Sequence, residues 1–553
     1  MSVALAAVLQ AALVAVAVGL LARPLGNHLA TTYTSERDWR VERWLYRAGG
    51  IDPRSDQRWS VYLASVFAFT VVSIVLLFAL LKVQGSLPLS LGMGPMETAQ
   101  AVNTAISFAT NTNWQSYSGE SAVGYLTQAG GLAVQNFVSA AVGLAVAVAL
   151  IRGFARSKTD RLGNFWVDLV RSIVRVLLPL SAILAVLLVL GGVIQNWAAP
   201  HEITTISGGT QQLLGGPAAS QEAIKELGTN GGGFFNANSA HPLSNPNPFT
   251  NWLQTVAILL IPFALVSAFG KLVGDRRQAR TVGLVMAAIL GLMVLATTAS
   301  ELAHPGTASQ LAGAALEGKE TRFGVPASTL FASATTGTST GAVNAAHDSF
   351  SALAGGAVLL NIALGEIAPG GVGSGLYGML VLAMVAVFIA GLMVGRTPEY
   401  LRKKLGPREI KLVALFILVT PALVLIGTGV ALAFEGPRAS ILNPGEHGLT
   451  EVLYAFASAA NNNGSAFGGL SSNTAFYNLA LGVAMLLGRL VPIALVLALA
   501  GSLASQGEVP ATAGTLPTNT RLFAGLLFGV VLIVAGLTYL PALALGPIAE
   551  GLR

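Results

Sequence analysis

The sequence of 553 residues contains no cysteine and few charged residues. Because cysteine is absent, disulfide bonds and thiolate metal sites are excluded, and the redox compartment cannot be read from the chain. Charged residues make up 10% of the chain and hydrophobic residues 53%, whereas soluble proteins carry about 25% charged residues. This composition predicts an integral membrane protein.

A nucleotide-binding motif is also absent. Nothing matches the pattern G-x-x-x-x-G-K-[ST], since Gly270-Lys271 is followed by Leu272 and no glycine-rich loop precedes it. The hydrophilic stretches between apolar runs are too short to hold a nucleotide-binding domain. The chain alone is therefore predicted not to hydrolyse ATP, and active pumping would require a second subunit.

Histidine, aspartate and serine form no pattern typical of a hydrolase. His347-Asp348-Ser349 are adjacent in the sequence, whereas the members of a catalytic triad come from separate segments that meet in space. The six histidines, His241 among them, lack the spacing of zinc ligands. The sequence predicts no catalytic residues and no cofactor other than a transported ion.

Ten apolar runs are long enough to cross a bilayer, which requires about 20 predominantly apolar residues. They are Val3–Ala22, Val61–Leu81, Ala122–Ile151, Val167–Ile194, Trp252–Leu272, Thr281–Leu302, Gly375–Gly395, Ile410–Phe434, Phe476–Leu499 and Leu522–Leu545. The first run has no Lys or Arg before Arg23. It is therefore predicted as a spanning helix rather than a cleaved signal peptide, which would have a positive n-region.

Four small, uncharged, oxygen-rich segments lie between the apolar runs, at intervals of 109 to 123 residues. We call them the first to fourth tetrads: Thr110-Asn111-Thr112-Asn113, Thr229-Asn230-Gly231-Gly232, Thr338-Ser339-Thr340-Gly341 and Asn461-Asn462-Asn463-Gly464. Each follows a helix-like run too short to span: Met96–Ala109, Ala219–Gly228, Val325–Gly337 and Leu449–Ala460. A single tetrad is ordinary turn chemistry. The fourfold recurrence predicts one ring of approximate fourfold symmetry.

Backbone carbonyls and threonine hydroxyls around such a ring can replace the water of a bare cation. The predicted fold is an all-α integral membrane protein with ten transmembrane helices. Four of its parts are pseudo-fourfold helix–pore loop–helix units, between one leading and one trailing helix. The predicted divisions are 1–60 for the leading helix and its loop, 61–152, 153–272, 273–396 and 397–505 for the four units, and 506–553 for the trailing helix.

Lysine and arginine indicate the orientation of the chain. Four connections, 23–59, 152–175, 271–280 and 396–411, hold 23 of the 31 Lys and Arg residues. Since basic loops stay cytoplasmic, the tetrads and both termini are predicted on the outer face. The basic run 36–44, with Trp39 and Trp44, is interpreted as a loop at the lipid headgroups rather than a nucleic-acid patch.

The third unit departs from the others. Ser349–Leu364 is apolar but too short to span, and Gly365-Glu366-Ile367-Ala368-Pro369-Gly370-Gly371-Val372-Gly373 follows it. Proline and glycine end helices, and unwound backbone at membrane depth persists only inside protein or beside a watery cavity. We therefore predict one crossing in two pieces, with a break at Gly365–Gly375 under the ring. A surface hairpin on the outer face is the alternative.

Three polar residues are candidates for special roles. Arg489 is the only charge in its apolar run; it would repel a cation from the cytoplasmic exit, or else pair with a helix end or snorkel. Glu366 could counter either a cation or Arg489. Gln115 would form part of the outer mouth, or a loop-packing hydrogen bond. The predicted barrier residues are Gly365, Glu366, Pro369, Gly370, Gly371 and Arg489.

These segments resemble one family. Thr110–Gln115 (TNTNWQ), Thr229–Asn236 (TNGGGFFN), TSTGAV from Thr338 and Asn461–Phe467 (NNNGSAF) are similar to the filter loops of the potassium-binding A subunit of bacterial Kdp potassium-transporting ATPases. Leu364–Leu380 (LGEIAPGGVGSGLYGML) resembles the broken helix of that family. The resemblance extends over the whole chain, and motifs this long and numerous are highly specific.

The resemblance implies that the ion is potassium, taken from the outer face of a bacterial inner membrane. It implies three partners: a P-type ATPase B subunit that is phosphorylated on aspartate, a single-span C subunit, together with a small F subunit. Potassium would pass the filter and then move sideways through a tunnel into the ATPase partner. The break and Arg489 would block the direct route to the cytoplasm.

The residues themselves leave two questions open. No tetrad carries the channel signature TVGYG, and the first ends in Asn113 where the others have glycine. Without the family likeness, selectivity for potassium, sodium or both is undecided. The competing hypotheses are a stand-alone potassium channel or ion-coupled symporter of the same superfamily, and a membrane scaffold, which would leave the recurring tetrads unexplained.

Overall fold

A computed structural model describes residues 2–303, 315–395, 397–510 and 515–552. Within them, ten helices are long and apolar enough to cross a membrane, which confirms the predicted number. They are Val3–Thr34, Trp59–Ser86, Tyr125–Ala155, Phe165–Leu190, Pro248–Leu272, Arg276–Ala303, Ser374–Met393, Pro407–Ala433, Ala475–Ser505 and Arg521–Gly551. Arg396 and parts of the predicted divisions 273–396 and 506–553 lie outside the described residues. The divisions between units stay predictions.

The first spanning helix runs well past its predicted end at Ala22 and closes at Thr34. The apolar run marks the hydrocarbon core, whereas the helix continues into the basic end of the protein. It packs along the fifth spanning helix, where a side chain on Gly26 would lie 2.5 Å from the carbonyl oxygen of Ala264. Glycine at this crossing allows the two backbones to approach closely.

Four half-length helices precede the tetrads, as predicted. They are Thr98–Ala109, Ala218–Leu227, Gly324–Thr336 and Gly445–Asn461. Most of their residues are buried, because spanning helices surround them. Since each ends at its tetrad, all four present their C-terminal carbonyls to the same interior region.

The second crossing of the third unit is made of two pieces. A short helix, Ala352–Ala363, is followed by irregular backbone over residues 364–373 and then by Ser374–Met393. We call residues 364–373 the break. Its residues 366–373 are all buried, so the alternative of a surface hairpin on the outer face is wrong.

The basic connections contact one another at one end of the molecule. Strand Gln57–Arg58 pairs with Arg161–Gly163, and Lys403 donates a 2.6 Å hydrogen bond from Nζ to the carbonyl of Arg156. A second small hairpin there pairs Glu399–Tyr400 with Lys403–Lys404. The predicted grouping of these loops on one side is therefore present in the fold.

A short helix, Arg40–Ala48, lies at the same end. Its inward face carries Glu42 and Tyr46, and the buried Glu42 pairs with Arg175 at 2.5 Å. Trp44 on the outward face is 66% exposed. An exposed tryptophan among arginines fits a position at the lipid headgroups.

The opposite end carries the connections around the half-length helices. It includes a hairpin of strands His201–Thr204 and Thr210–Leu213, whose residues are all exposed. The remaining short elements are the helices Gly119–Ala122 and Glu435–Arg438 and the single turns Gln84–Ser86, Asn238–Ala240 and His347–Ser349.

Candidate ion-binding site

The four tetrads meet in the interior of the molecule. Asn111 donates a 2.8 Å hydrogen bond from Nδ2 to the carbonyl of Thr229, which joins the first and second tetrads. Asn462 Nδ2 donates to Thr112 Oγ1 at 2.9 Å, and Ser339 Oγ lies within hydrogen-bond distance of the Asn461 carbonyl at 3.1 Å. Segments more than a hundred residues apart in the sequence therefore form one connected site.

Main-chain oxygens crowd the space between the tetrads. A side chain on Gly464 would lie 2.0 Å from the carbonyl oxygen of Thr112, and one on Gly341 would lie 2.2 Å from that of Asn463. No Cβ tolerates such distances, so these positions require glycine. The close approach places carbonyl groups of different tetrads side by side.

The backbone of three tetrads alternates between positive and negative φ. The second and fourth positions of the first, third and fourth tetrads have φ between +54° and +105°: Asn111, Asn113, Ser339, Gly341, Asn462 and Gly464. Alternation of the two hands turns successive peptide groups the same way. Each tetrad can therefore present several carbonyls to one side, at a strain cost for its non-glycine members.

The second tetrad is offset from its predicted register. In every loop, the residue after the first positive φ donates its N–H to the carbonyl five residues earlier: Thr112 to Ser107, Asn230 to Lys225, Thr340 to Thr335 and Asn463 to Ser458. By this measure Gly228 is the counterpart of Thr110, Thr338 and Asn461. Matching Thr229 to them by residue type was wrong by one position, because the end of the half-length helix decides the register.

The threonine hydroxyls of the first and third tetrads form hydrogen bonds within their own loops. Thr110 Oγ1 lies 2.8 Å from Thr112 Oγ1, and Thr338 Oγ1 lies 2.6 Å from Thr340 Oγ1. In each pair the first hydroxyl is also within hydrogen-bond distance of a carbonyl of its half-length helix. This shared arrangement relates the first and third tetrads and fixes their inner ends.

The electrostatics of the site favour a cation of low charge. No tetrad residue is ionisable. The C-terminus of a helix carries a partial charge of about −0.5, and four such ends converge here. Partial charges from helix ends and carbonyls suit a monovalent ion, which has to leave the site again.

Gln115 links the first and second loops at their outer end. Its Oε1 accepts a 2.8 Å hydrogen bond from the N–H of Gly233, and a side chain on Gly232 would lie 2.8 Å from the same oxygen. Gln115 Nε2 is buried without a hydrogen-bond partner. Gln115 thus makes the loop-packing hydrogen bond that was its alternative role, and its place at the outer mouth stays a prediction.

Polar residues behind the tetrads hold them in place. Asn113 donates to Asn136 Oδ1 at 2.5 Å, and Ser139 donates to Asn111 Oδ1 at 2.8 Å. Both supports project from the third spanning helix, Tyr125–Ala155. A buried amide and hydroxyl in an apolar helix are expensive unless they are bonded, and here they are bonded to the loops.

A buried lysine supports the second loop. Lys225 Nζ lies 2.7 Å from Glu222 Oε1 and 2.7 Å from Asn238 Oδ1, and all three residues are buried. Asn238 in turn donates a 2.5 Å hydrogen bond to the carbonyl of Gly232. The lysine therefore orients the amide that engages one of the predicted ion-site carbonyls.

A cavity of about 110 Å³ adjoins the inner end of the tetrads. Ser339, Asn461, Gly365 and Arg489 line it on the side of the ring and the break. Its outer wall is formed by the eighth and tenth spanning helices, through Phe416, Ile417, Thr420, Pro421, Val531, Val534, Ala535, Thr538 and Tyr539. A volume of this size holds several water molecules. The space therefore lies between the tetrads, the break and these two helices.

Arg489 points into this cavity without an ionic partner. The residue is 5% exposed, its Nη2 has no hydrogen-bond partner, and no carboxylate in the described parts of the chain lies within 4.0 Å. An arginine that snorkels would reach the membrane surface instead. Glu366 is also buried, but it does not pair with Arg489.

The glycines of the break pack tightly under the ring. Gly370 donates a 2.8 Å hydrogen bond from its N–H to the carbonyl of Gly337, and a side chain on Gly371 would lie 2.8 Å from Ser339 Cβ. The Ala368–Pro369 peptide bond is cis. Gly365 is exposed where the cavity opens. The break therefore contacts the third tetrad directly.

His447 forms a structural link at the end that carries the connections around the half-length helices. His447 bonds Asp348 through Nε2 and Glu550 through Nδ1, both at 2.9 Å, which joins the third unit, the fourth unit and the trailing helix. The hydrogen bond with Asp348 is the main cause that raises the pKa of His447 to about 9. His347 instead contacts the hydroxyl of Tyr454 at 2.9 Å. No hydrolase triad forms from these residues.

One known protein family matches nearly the whole chain. A profile of the family described as "Potassium-transporting ATPase A subunit" matches residues 12–552. The chain belongs to the family of potassium-transporting ATPase A subunits.

Curated members of this A subunit group are similar over their full length. A potassium-transporting ATPase potassium-binding subunit of Clavibacter michiganensis is 58% identical over 553 residues, covering 99% of each chain. The proteins of that name from Kineococcus radiotolerans and Mycolicibacterium smegmatis are each 60% identical, over 547 and 540 residues. They cover 99% and 97% of this chain and 98% and 97% of their own length.

A solved structure shares the fold of this ATPase A subunit. The potassium transporter TrkH from Vibrio parahaemolyticus superposes with a TM-score of 0.52, covering 77% of this chain and 83% of its own. At 14% sequence identity, the similarity concerns the fold alone. It agrees with the predicted helix–pore loop–helix architecture.

The sequence-predicted residues of this ATPase A subunit lie close together, and several others were missed. The tetrads, Gln115 and the break form one contiguous region, with Arg489 beside the cavity. Gly228, Asn136, Ser139, Lys225 and Asn238 were not predicted, although all five contact the tetrads or their support. Isolated Asn and Ser residues in an apolar helix were the one available signal, since such residues need partners.

Proposed function

We propose that this chain is the potassium-binding and translocating subunit of an ATP-driven potassium uptake complex. The observation that carries the proposal is the convergence of four tetrads at the C-terminal ends of four half-length helices. The relatives named as potassium-binding subunits support potassium as the ion. The function is that of a transport subunit, whereas ATP hydrolysis belongs to a partner.

The tetrads form the selectivity filter in this proposal. Main-chain carbonyls and hydroxyls of the sixteen predicted residues replace the hydration shell of K⁺, with Gln115 at the outer mouth. The alternating backbone of three tetrads supports this role, because it turns carbonyls toward one side. Glycine at positions 341 and 464 keeps the carbonyls of neighbouring tetrads close enough to share an ion.

The ion then leaves sideways. Arg489 provides a positive barrier at the inner end of the ring, while the cavity extends between the eighth and tenth spanning helices. Gly365, Glu366, Pro369, Gly370 and Gly371 close the direct route from below. A lateral exit suits a pump, because an open pore would dissipate the gradient.

The partners and orientation follow the family resemblance. The proposed Kdp complex contains a P-type ATPase B subunit, a single-span C subunit, together with a small F subunit, in a bacterial cell membrane in contact with lipid. The tetrads and both termini face outward, and the basic end faces the cytoplasm. The P-type ATPase partner hydrolyses ATP and releases the ion.

The test is the ATPase activity of the co-purified complex, measured across the alkali cations. We expect strong stimulation by K⁺ and much weaker stimulation by Na⁺. ATPase activity that does not depend on the cation, or that K⁺ and Na⁺ stimulate equally, would contradict the proposal. The fold shared with TrkH keeps a channel or symporter as the second candidate, and potassium flux through the chain alone in liposomes would favour it.

A further inference from the structure

The carboxylate of Glu366 is held by two different tetrads. Ser339 of the third tetrad donates its hydroxyl to Oε2, and Asn463 of the fourth donates from Nδ2 to Oε1 at 2.6 Å. Glu366 is 1% exposed. Both oxygens of a buried carboxylate are thus bonded to residues of the ion site, although Glu366 itself belongs to the break.

Asn463 is fixed at every polar atom of its side chain. Besides Glu366, its Nδ2 donates to the Thr335 carbonyl at 3.2 Å, and its Oδ1 accepts the N–H of Ser465 at 3.0 Å. Its own carbonyl oxygen lies where a side chain on Gly341 would sit, at 2.2 Å, or one on Gly231, at 2.7 Å. The residue that Glu366 holds therefore presents its carbonyl to the second and third tetrads.

The other half of the ring is joined in a different way. The first and second tetrads bond each other directly, because Asn111 donates to the Thr229 carbonyl at 2.8 Å and Asn230 Nδ2 donates to Asn111 Oδ1 at 2.7 Å. Between the third and fourth tetrads, the carboxylate of Glu366 stands between Ser339 and Asn463. The third and fourth tetrads also meet directly where Ser339 Oγ lies 3.1 Å from the Asn461 carbonyl, but the Asn463 side chain is bonded to the break through Glu366.

A role of Glu366 as the counter-charge of Arg489 explains these contacts less well than a role in positioning the loops. The two residues form no ion pair within 4.0 Å, and the two oxygens of Glu366 already have donors. Arg489 lines the cavity, and its buried Nη2 has no hydrogen-bond partner. The geometry around the carboxylate is that of a hydrogen-bond acceptor for two loops.

We propose that Glu366 is a positioning residue of the ion site, which sets the separation of the third and fourth tetrads by bonding Ser339 and Asn463. This inference rests on the proposed function of the tetrads and deepens it. The carbonyl of Asn463 keeps its place in the ring only while the side chain at position 366 is hydrogen-bonded to both loops. Ion selectivity therefore depends on a residue outside the tetrads.

The test compares Glu366→Ala with Glu366→Gln in the co-purified complex. We expect Glu366→Ala to raise the apparent KM for K⁺ at least about tenfold and to reduce discrimination against Na⁺. Glu366→Gln should stay within about threefold of wild type. Its carbonyl accepts from Asn463, and its amide can donate to Ser339, whose hydroxyl already reaches the Asn461 carbonyl at 3.1 Å.

Glu409→Gln is the matched control. Glu409 is also buried, but it caps the eighth spanning helix at Gly406 on the basic face, so its substitution should leave the KM for K⁺ unchanged. Should Glu366→Ala fail to assemble, Ser339→Ala removes one of the two bonds, and we expect a rise in KM of about threefold to tenfold.

Two results would overturn the inference, and a third would contradict the proposed function. An unchanged KM in Glu366→Ala, or in Ser339→Ala when the former is not obtained, removes the positioning role. An equal rise in the apparent KM for K⁺ in Glu366→Gln and Glu366→Ala would show that the negative charge of Glu366 matters rather than its hydrogen bonds. That result is expected of a gate or a counter-ion. A wild-type complex without potassium dependence contradicts the proposed function instead, so the two failures are distinguishable.

Discussion

The second membrane crossing is built in two pieces in the third unit and as one helix in the fourth. The break interrupts the third unit after Ala363, whereas Ala475–Ser505 continues without interruption. Both bring one ionisable side chain to the inner end of the ring. Glu366 comes from irregular backbone with φ of +49°, and Arg489 comes from regular helix.

The two charged side chains, Glu366 and Arg489, differ in their hydrogen bonds. Glu366 has a hydrogen-bond donor on each oxygen, while Nη2 of Arg489 is buried without a hydrogen-bond partner. A buried charge without a partner is costly and marks function by default. The irregular backbone thus carries a carboxylate bonded to two loops, whereas the regular helix carries a guanidinium with one nitrogen unbonded.

The largest expected effect concerns the tetrad of the fourth unit. Gly464→Asp would place a Cβ 2.0 Å from the Thr112 carbonyl at a φ of +105°, and would add a negative charge to a site built of partial charges. We expect apparent potassium affinity to fall about a hundredfold without loss of membrane insertion. Uptake at micromolar potassium measures it, and unchanged uptake would count against the ring.

Gly468→Ala is the control for that substitution, because a side chain there would meet no atom within 4 Å. It should transport like wild type. Gly232→Asp is expected to act like Gly464→Asp, since a side chain at Gly232 would lie 2.6 Å from the Asn113 carbonyl. A normal potassium affinity in both Asp variants would show that the second and fourth tetrads do not bind the ion.

The next prediction concerns Arg489, a buried charged residue of the fourth unit. Arg489→Ala should let ions pass the inner end of the ring, so that reconstituted complexes leak potassium in the absence of ATP. Arg489→Lys should leak less, since it keeps a positive charge. Arg521→Ala, at an exposed position at the start of the tenth helix, serves as control. If Arg489→Ala vesicles stay tight and selective, the arginine is structural.

Glycine-to-alanine substitutions in the two crossings should differ. Gly373 in the break has a φ of +92°, and a side chain there would lie 2.0 Å from the Gly143 carbonyl. Gly373→Ala should lower the free energy of unfolding by about 1–3 kcal/mol. In Gly482→Ala the nearest atom would be 3.6 Å away within a regular helix, so stability should be unchanged or slightly higher. Thermal unfolding in detergent measures both, and equal midpoints would refute the difference.

The smallest effect concerns the outer link between the two units. The pKa of His447 is raised to about 9 by its hydrogen bonds with Asp348 and Glu550, with Glu451 as a further acidic neighbour. Because the folded pKa lies above the ordinary value near 6.5, the stabilisation is complete below about pH 6.5 and is lost as pH rises through 9.

His447 is partly exposed, so solvent screening reduces that contribution to the order of 1 kcal/mol. The unfolding midpoint of wild type should fall between pH 6.5 and 9 by more than that of His447→Gln, which cannot titrate. Parallel pH profiles for the two proteins would show that this link is not ionic.

The sequence predicted the main features of the fold because they follow from local composition. Apolar runs of about 20 residues mark spans, and all ten were found. The tetrads were recognisable because small oxygen-rich residues recur behind short helices. The exact end of a helix was harder to predict from the sequence. Thr229 matches Thr110 by residue type, but the end of the second half-length helix makes Gly228 the structural counterpart of Thr110.

The supporting residues could not be predicted for a different reason. Asn136, Lys225 and Asn238 acquire their roles only through contacts between segments distant in the chain. The role of Glu366 was likewise open between a cation and Arg489, because its two partners lie 27 and 97 residues away.

The sequence by itself determined the membrane class, the ten spans, the four tetrads and the interruption of one crossing, because hydrophobic length, charge and helix-breaking residues act within a short stretch of chain. Only the tertiary structure decided the register of the second tetrad, the partners of Glu366 and the isolation of Arg489. Hydrogen bonds between distant segments fix these features, and such bonds depend on how the helices pack.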